Sequence, residues 1–523
     1  MKVKLPKKES GNIEFKERLI SDVHLKEERK QQLAAQMKFR LEKGNGVAVY
    51  IIGIRENGEP KGLSELEFEE TLNILRIISR ENNARIEKVE KFLENGKIIG
   101  RIIIKQVFKI EKKENLIVGV AGHVAHGKST LIATIITGEP DKDGRKWLQL
   151  NVLPHEIERG LSADLHFTLF GFKNSSPIYL KNPLDKKERA KVFENSDKVI
   201  SFVDTVGHEP WLRTTIRGLV GQNLDYGLLV VAADDGVTHI TKEHLGILLA
   251  LELPIIVCIT KIDKVTEKRR EDVKEEVENL IKLVGRIPFM IKDEKDLSMI
   301  VDKIETIVPI FDVSSRTFEG INYLIKFLNL LPKRKIESEK PFLMFIDRIY
   351  KIQGVGTVVS GTIKQGRIKA GSTLLIGPFG SGDFKKVKTA SIQTHYYPLE
   401  EADAGLIVGI CLKGVKHEDL RRGLVLCDPS FSPKAVKSFE AEILVLTHPT
   451  RIASGYEPVV HFFTASQSAK LECIDKKYLK SGESGKVKFT FKYFPCFIQE
   501  GDKFVFREGK TKGIGTVTRI INP

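Results

Sequence analysis

The hydrophobic pattern changes character twice along the chain. In the first hundred residues, a charged segment from Leu25 to Glu42 places Leu33, Met37 and Leu41 on one face, which predicts a helix. The run from Gly46 to Ile54 is apolar almost throughout and lies between glycine and polar punctuation, so it reads as a buried strand. Leu66, Leu72, Leu75 and Ile78 recur at helical spacing between Leu63 and Glu81. Two β-rich runs, Ala84 to Phe92 and Lys97 to Phe108, flank a Glu94-Asn95-Gly96 turn. Together they predict a small α+β domain over residues 1–113, with a polar leader ending near Ser21 and about one helix before the sheet.

From Asn115 to about Pro332 the rhythm is different. Short β-branched runs (Leu116–Ala121, Val199–Val203, Leu228–Ala232, Ile255–Ile259, Ile310–Val313) alternate with longer helical patterns. That alternation predicts a mostly parallel sheet covered by helices on both faces, over residues 114–336. Ligands of such sheets bind beyond the carboxyl ends of the strands. After the basic Lys333-Arg334-Lys335 stretch the helical period disappears. Short strands and glycine turns predict two antiparallel β-barrels, over residues 337–432 and 433–523. The expected architecture is therefore multidomain: a small α+β domain, an α/β domain and two antiparallel β-barrels.

Composition narrows the function classes. A chain of 523 residues exceeds a single hydrophobic core. Its 41% hydrophobic and 29% charged residues are those of an ordinary globular protein rather than a disordered one. No apolar run reaches the roughly 18 residues of a membrane span, and the Met1–Lys8 start lacks the apolar stretch of a secretory signal. A cytoplasmic protein with no membrane partner is expected. The five cysteines are scattered without CxxC spacing, which predicts buried thiols rather than a zinc knuckle or disulfides. A net charge of +15 and a pI near 9.3 suit a polyanionic partner such as RNA.

The candidate chemistry falls at the ends of the predicted parallel strands. Gly122-His123-Val124-Ala125-His126-Gly127-Lys128-Ser129-Thr130 satisfies GxxxxGK[ST], follows an apolar strand and opens a helix. Its glycines let backbone N–H groups converge on phosphates at a helix N-terminus, Lys128 faces the β and γ phosphates, and Ser129 is a ligand for Mg²⁺. Asp204, ending a strand, is a second group for Mg²⁺, and Gly207 of the same DxxG can sense the γ phosphate through its N–H. In Thr260-Lys261-Ile262-Asp263, the Asp263 carboxylate can accept hydrogen bonds from guanine N1–H and its exocyclic amine, which adenine cannot offer. Lys261 covers the base with its stem. Ser314 and Ser315, after the last strand, are placed for backbone N–H contacts to guanine O6. Ser162, within His155–Ser162, is a second hydroxyl for Mg²⁺ when GTP is bound. The cofactors implied are GTP/GDP and Mg²⁺, so the expected fold class is a small α+β domain, an α/β P-loop GTPase domain and two antiparallel β-barrels.

His123 and His126 in the P-loop, together with His208 after Gly207, resemble the translational GTPases typified by elongation factor Tu. The resemblance implies that His208 positions the attacking water and that Val124 and Leu161 gate it. Gly354–Ile363, Gly366–Gly371, Ala404–Val415 and Leu420–Gly423 resemble the second domain of those factors, and Gly455–Phe463 and Phe506–Gly509 the third. Gln36–Tyr50, the His155–Glu158 stretch and Thr260 in place of the usual Asn resemble the GTP-binding protein 1 and 2 family. Two positions depart from the wider pattern. Ala125 stands where most relatives carry an Asp that helps bind a monovalent cation, and Thr260 lacks the amide of Asn, so its link to the P-loop must differ.

The resemblance further implies a ribosome-stimulated GTPase whose partners are the ribosome and tRNA or another RNA. It would deliver aminoacyl-tRNA or rescue stalled ribosomes, as a monomer. Glu401 falls where elongation factors place a carboxylate beside the terminal adenosine of tRNA. A second reading is an RNA-binding adaptor that recruits RNA-decay factors, with GTP as a conformational ligand.

Overall fold

The computed structural model describes residues 9, 11–82, 84–106, 113–150, 164–208, 212–334, 337–509 and 511–521. The chain divides into two compact units, residues 1–110 and 111–523.

The first unit is a four-stranded sheet of β1 (Ile13–Lys16), β2 (Val47–Ile52), β3 (Ala84–Glu94) and β4 (Lys97–Gln106), in the order β1-β2-β4-β3. Two helices, Glu27–Lys43 and Glu65–Glu81, carry Met37, Leu41, Phe68, Leu72 and Leu75 into a core with Tyr50, Ile102 and Ile104. The expected polar leader instead contains β1, paired parallel to β2 with Ile13 opposite Val49. Four residues are too few for a readable period. What fixes them is tertiary: Phe15 is buried, and the buried Glu14 carboxylate is met by Arg40 Nε at 2.6 Å and Lys16 Nζ at 2.9 Å.

The second unit begins with an eight-stranded sheet. Its strands are β5 (Glu114–Gly122), β6 (His166–Lys173), β7 (Ser176–Ile178), β8 (Lys198–Asp204), β9 (Tyr226–Ala232), β10 (Ile255–Thr260), β11 (Ile287–Met290) and β12 (Ile307–Asp312). The order is β11-β12-β10-β9-β5-β8-β6-β7, and every pairing is parallel except those of β6 with β7 and β8. Every residue of β8, β9 and β10 is buried, as strands covered on both faces require, and this is why they read as unbroken apolar runs. The strands β6, β7 and β11 lie toward the sheet edges and fall outside the strand–helix alternation that signalled the others.

Two six-stranded antiparallel barrels follow. The first runs through Leu343–Phe345, Val425–Cys427, Thr373–Gly377, Lys385–Thr394, Ile407–Lys413 and Gly356–Gln365, and is closed by pairing of its first and last members. The second closes Ser438–Thr447, Ser484–Phe491, Ala465–Cys473, Val459–Phe462, Lys503–Glu508 and Thr511–Ile521 around a phenylalanine core with Phe439 at its centre. Polar bonds join the parts of this unit: Asn115 Nδ2 donates to Gly405 O (2.6 Å) and Thr464 Oγ1 to Ile346 O (2.8 Å). Among the described residues no helix is long and apolar enough to cross a membrane.

Candidate functional site

The carboxyl ends of β5, β8, β10 and β12 open onto a cavity of about 500 Å³. Val124, Ala125, Gly127, Lys128, Ser129, Thr130, Gly207, Thr260, Lys261, Asp263 and Ser315 line it, so residues 191 positions apart in the chain converge there. Glycine is required at two points of this wall. At Gly122 (φ 149°) a Cβ would lie 2.3 Å from Val230 O, and at Gly207 it would lie 2.3 Å from Lys128 Nζ and 2.6 Å from Val124 N. Ala125 holds a left-handed φ of 60° despite its Cβ.

Lys128 opens the helix Lys128–Thr137 and folds back over the loop, donating to the carbonyls of Gly122 (3.0 Å) and His123 (2.8 Å). Burial lowers its ammonium pKa to about 8, against the opposing pull of Asp204. Ser129 Oγ donates to Asp204 Oδ2 at 2.5 Å, so the two expected magnesium ligands already adjoin. A hydroxyl and a carboxylate are the hard oxygen donors that suit Mg²⁺. Gly207 O accepts from Val124 N (3.1 Å), which clasps the DxxG turn to the P-loop. His208 stands beside this clasp, half-buried, and its buried Nδ1 has no hydrogen-bond partner among the described residues. Leu161 and Ser162 lie outside the described residues.

The base side is also built from within. Thr260 Oγ1 donates to His126 O at 2.7 Å, which is the altered link that a hydroxyl in place of an amide requires. Lys261 sits at φ 58° with its Nζ 2.9 Å from Asp234 Oδ2. Asp263 Oδ1 accepts from Ser314 Oγ at 2.6 Å. The Ser314 N–H is bonded to Glu319 O (3.0 Å), so Ser314 orients Asp263 rather than offering its own N–H to the base, while Ser315 lines the cavity.

Sequence reading missed the supports of the P-loop. His126 Nδ1 lies 3.2 Å from Ala232 N and 3.3 Å from Val230 O, and its Nε2 is hydrogen-bonded to Asp235 Oδ2 (2.9 Å). That bond holds the Asp235 carboxyl below its ordinary range, while burial holds His126 below the usual imidazole value. His123 Nδ1 lies 3.4 Å from the same oxygen. The three side chains are close enough to hold a cation. The contacts of His123 and His126 with Asp235 make them a clasp on the P-loop. Behind them His244, buried and held neutral with its pKa down to about 3, accepts Gly122 N–H (2.9 Å). The only signal available was a pair of acids ending a buried strand. Glu401 does not join this cavity: its carboxylate meets Arg367 Nε (2.8 Å) and Lys369 Nζ (3.2 Å) on the first barrel.

Three family models match in succession: the elongation factor Tu GTP-binding domain over residues 113–334, elongation factor Tu domain 2 over 356–427, and the elongation factor Tu C-terminal domain over 432–521. GTP-binding protein 2 of Homo sapiens is 34% identical over 534 residues, spanning 98% of this chain and 88% of the relative. GTP-binding protein 1 of Xenopus laevis is 34% identical over 504 residues, 94% and 77% of the two chains. The chain belongs to the GTP-binding protein 1 and 2 family. Members of this family are elongation-factor-like GTPases, and this chain hydrolyses GTP to GDP and phosphate. Elongation factor 1-alpha of Methanopyrus kandleri is 32% identical over 452 residues, covering 78% of this chain and 99% of the factor. The fold is also that of translation elongation factor SelB from Methanococcus maripaludis, in complex with the GTP analogue GppNHp (TM-score 0.54, 22% identity, 79% of this chain and 80% of that one).

Proposed function

We propose that the protein is a GTP-switched RNA carrier that binds tRNA and acts on the ribosome in the cytoplasm, as a monomer. Aminoacyl-tRNA delivery and rescue of stalled ribosomes are its two forms. The observation that carries this reading is His208: a half-buried imidazole whose Nδ1 lacks a described partner, beside a phosphate cradle in which Lys128 and Ser129 are already braced. Binding is built into the chain. Orientation of the catalytic group is left to something that docks.

In this reading the P-loop N–H groups from Gly122 to Thr130 hold the phosphates, and Lys128 exchanges its two carbonyl partners for phosphate oxygens. Asp263, oriented by Ser314, reads the guanine edge. Ser129, Asp204 and Ser162 would hold Mg²⁺, which would supply charge neutralisation at the phosphates. His208 orients the attacking water, gated by Val124 and Leu161. Loss of the γ phosphate frees Gly207 and Ser162. The barrels supply the RNA surface, and Glu401 serves the RNA end by leaving Arg367 and Lys369. The RNA-decay reading finds no support among the relatives named above.

The test is steady-state GTP turnover with and without ribosomes. Ribosomes should raise the wild-type rate roughly a hundredfold or more, and His208→Ala should lose that stimulation with GDP affinity unchanged. Turnover indifferent to ribosomes would overturn the reading.

A further inference from the structure

One wall of the nucleotide cavity belongs to none of the motifs that recognise GTP. After the helix Lys128–Thr137 ends at Gly138 (φ 67°), the chain crosses the mouth of the cavity, and Asp141, Lys142, Asp143, Gly144 and Trp147 line it. This strap is fixed at both ends. Asp141 N donates to Ser315 O at 2.7 Å, which ties it to the loop beside the guanine-reading Asp263. The short helix Lys146–Gln149 packs back on the Lys128–Thr137 helix, which carries the phosphate end. The strap therefore joins the base side of the site to the helix that follows the phosphate loop. The part of a guanosine phosphate between the base and the phosphates is the ribose, and no other motif is assigned to it.

The strap's chemistry suits that position. Asp141 is nearly buried, and its Oδ1 is occupied by Lys146 N (3.2 Å), so it serves the strap itself. Asp143 is exposed to the cavity, and its Oδ1 accepts Arg145 N (3.1 Å) in a local turn that presets the carboxylate. A carboxylate so held accepts a sugar hydroxyl well, as acids do at the ribose of dinucleotide sites. We infer that the strap Gly138–Trp147 is a ribose-recognition element, in which the Asp143 carboxylate accepts a hydrogen bond from a ribose hydroxyl and makes the site selective for ribonucleotides.

The inference rests on the nucleotide site as described above, and the experiment separates the two. Trp147 is one of two tryptophans in the chain and lies in the cavity wall, so its emission reports binding directly. Titrations with GDP, 2′-deoxyGDP, 3′-deoxyGDP and ADP are run on the full chain and on Asp143→Ala. The wild type should bind at least one deoxy analogue five- to tenfold more weakly than GDP. Asp143→Ala should bind GDP and both analogues within twofold of one another, while its preference for GDP over ADP stays intact. Thermal unfolding of Asp143→Ala, an exposed site, confirms that the fold is retained. Equal binding of all three guanine nucleotides by the wild type overturns the inference, and so does a deoxy penalty that survives in Asp143→Ala. Failure to prefer GDP over ADP would instead indict the Asp263 assignment.

Discussion

The two ends of the central sheet bury polar groups to opposite purposes. At the amino ends, Asp225 Oδ2 accepts Ile117 N (2.7 Å), the buried Lys198 ammonium donates to the Asn329 and Leu331 carbonyls (2.7 and 2.5 Å), and Tyr226 OH donates to Pro332 O (2.6 Å). These bonds join strands to the connecting chain, and nothing about them invites a ligand. At the carboxyl ends, Lys128, Ser129, Asp204 and Asp263 also have partners, but each is a group that phosphate, metal or base can replace or extend. Polar groups with partners therefore mark structure at one end and readiness at the other. The difference predicts that substitutions at the carboxyl ends change affinity without changing stability, and that those at the amino ends do the reverse.

The largest effect should come from Asp263→Asn. An amide presents a donor where guanine presents two, and the buried mismatch lowers GDP affinity by roughly a thousandfold or more. Because Asp263 is exposed in the protein without nucleotide, its thermal midpoint should stay within a degree or two of the wild type. Calorimetric titration and thermal unfolding of one preparation check both halves. A large drop in stability would show that the Ser314–Asp263 bond is structural.

This division also explains what the sequence revealed. Gly122–Thr130, Asp204–Gly207 and Thr260–Asp263 are legible because each motif spans a few residues, where the chain itself sets the geometry. The clasp is not, because Asp235 reaches His126 across 109 residues and His244 reaches Gly122 across 122. Local pattern cannot register such a pairing. Ser314 shows a finer limit: its place in the site was legible, but the choice between its N–H and its hydroxyl depended on Glu319 capturing the N–H. The barrels were legible as a class from alternation and glycine turns, whereas strand β1 is fixed by Arg40 and its sheet partner rather than by any pattern of its own.

Thr260→Val tests the boundary between the two ends, since Thr260 closes β10 but ties the P-loop. The change keeps shape and leaves His126 O without the hydroxyl it accepts, a loss of about 1–3 kcal/mol. The loop should loosen and GDP affinity should fall about tenfold, with Thr260→Ser close to wild type. Fluorescence titration measures it. Equal loss in the serine variant would assign the effect to the missing methyl instead.

The smallest effect, and the one of opposite sign, belongs to Asp225→Asn. Burial raises the Asp225 carboxyl to about 6 from an ordinary value of 3.8, despite the bond from Ile117 N and the charges of Lys333 and Arg334. A folded-state value above the unfolded one means that folding binds a proton between those limits. The group's contribution is complete below about pH 4 and is lost as the pH rises through 6, so at neutral pH an ionised buried carboxylate costs at most about 3 kcal/mol. Asparagine keeps an acceptor for Ile117 N and carries no charge. The variant should be about 1–2 kcal/mol more stable than wild type at pH 7.5, a rise of a few degrees in midpoint, and no more stable at pH 4, with GDP affinity the same throughout. Loss of stability at pH 7.5 would mean that attraction to Lys333 and Arg334 outweighs burial, and that the amino end of the sheet depends on charge as much as the carboxyl end does.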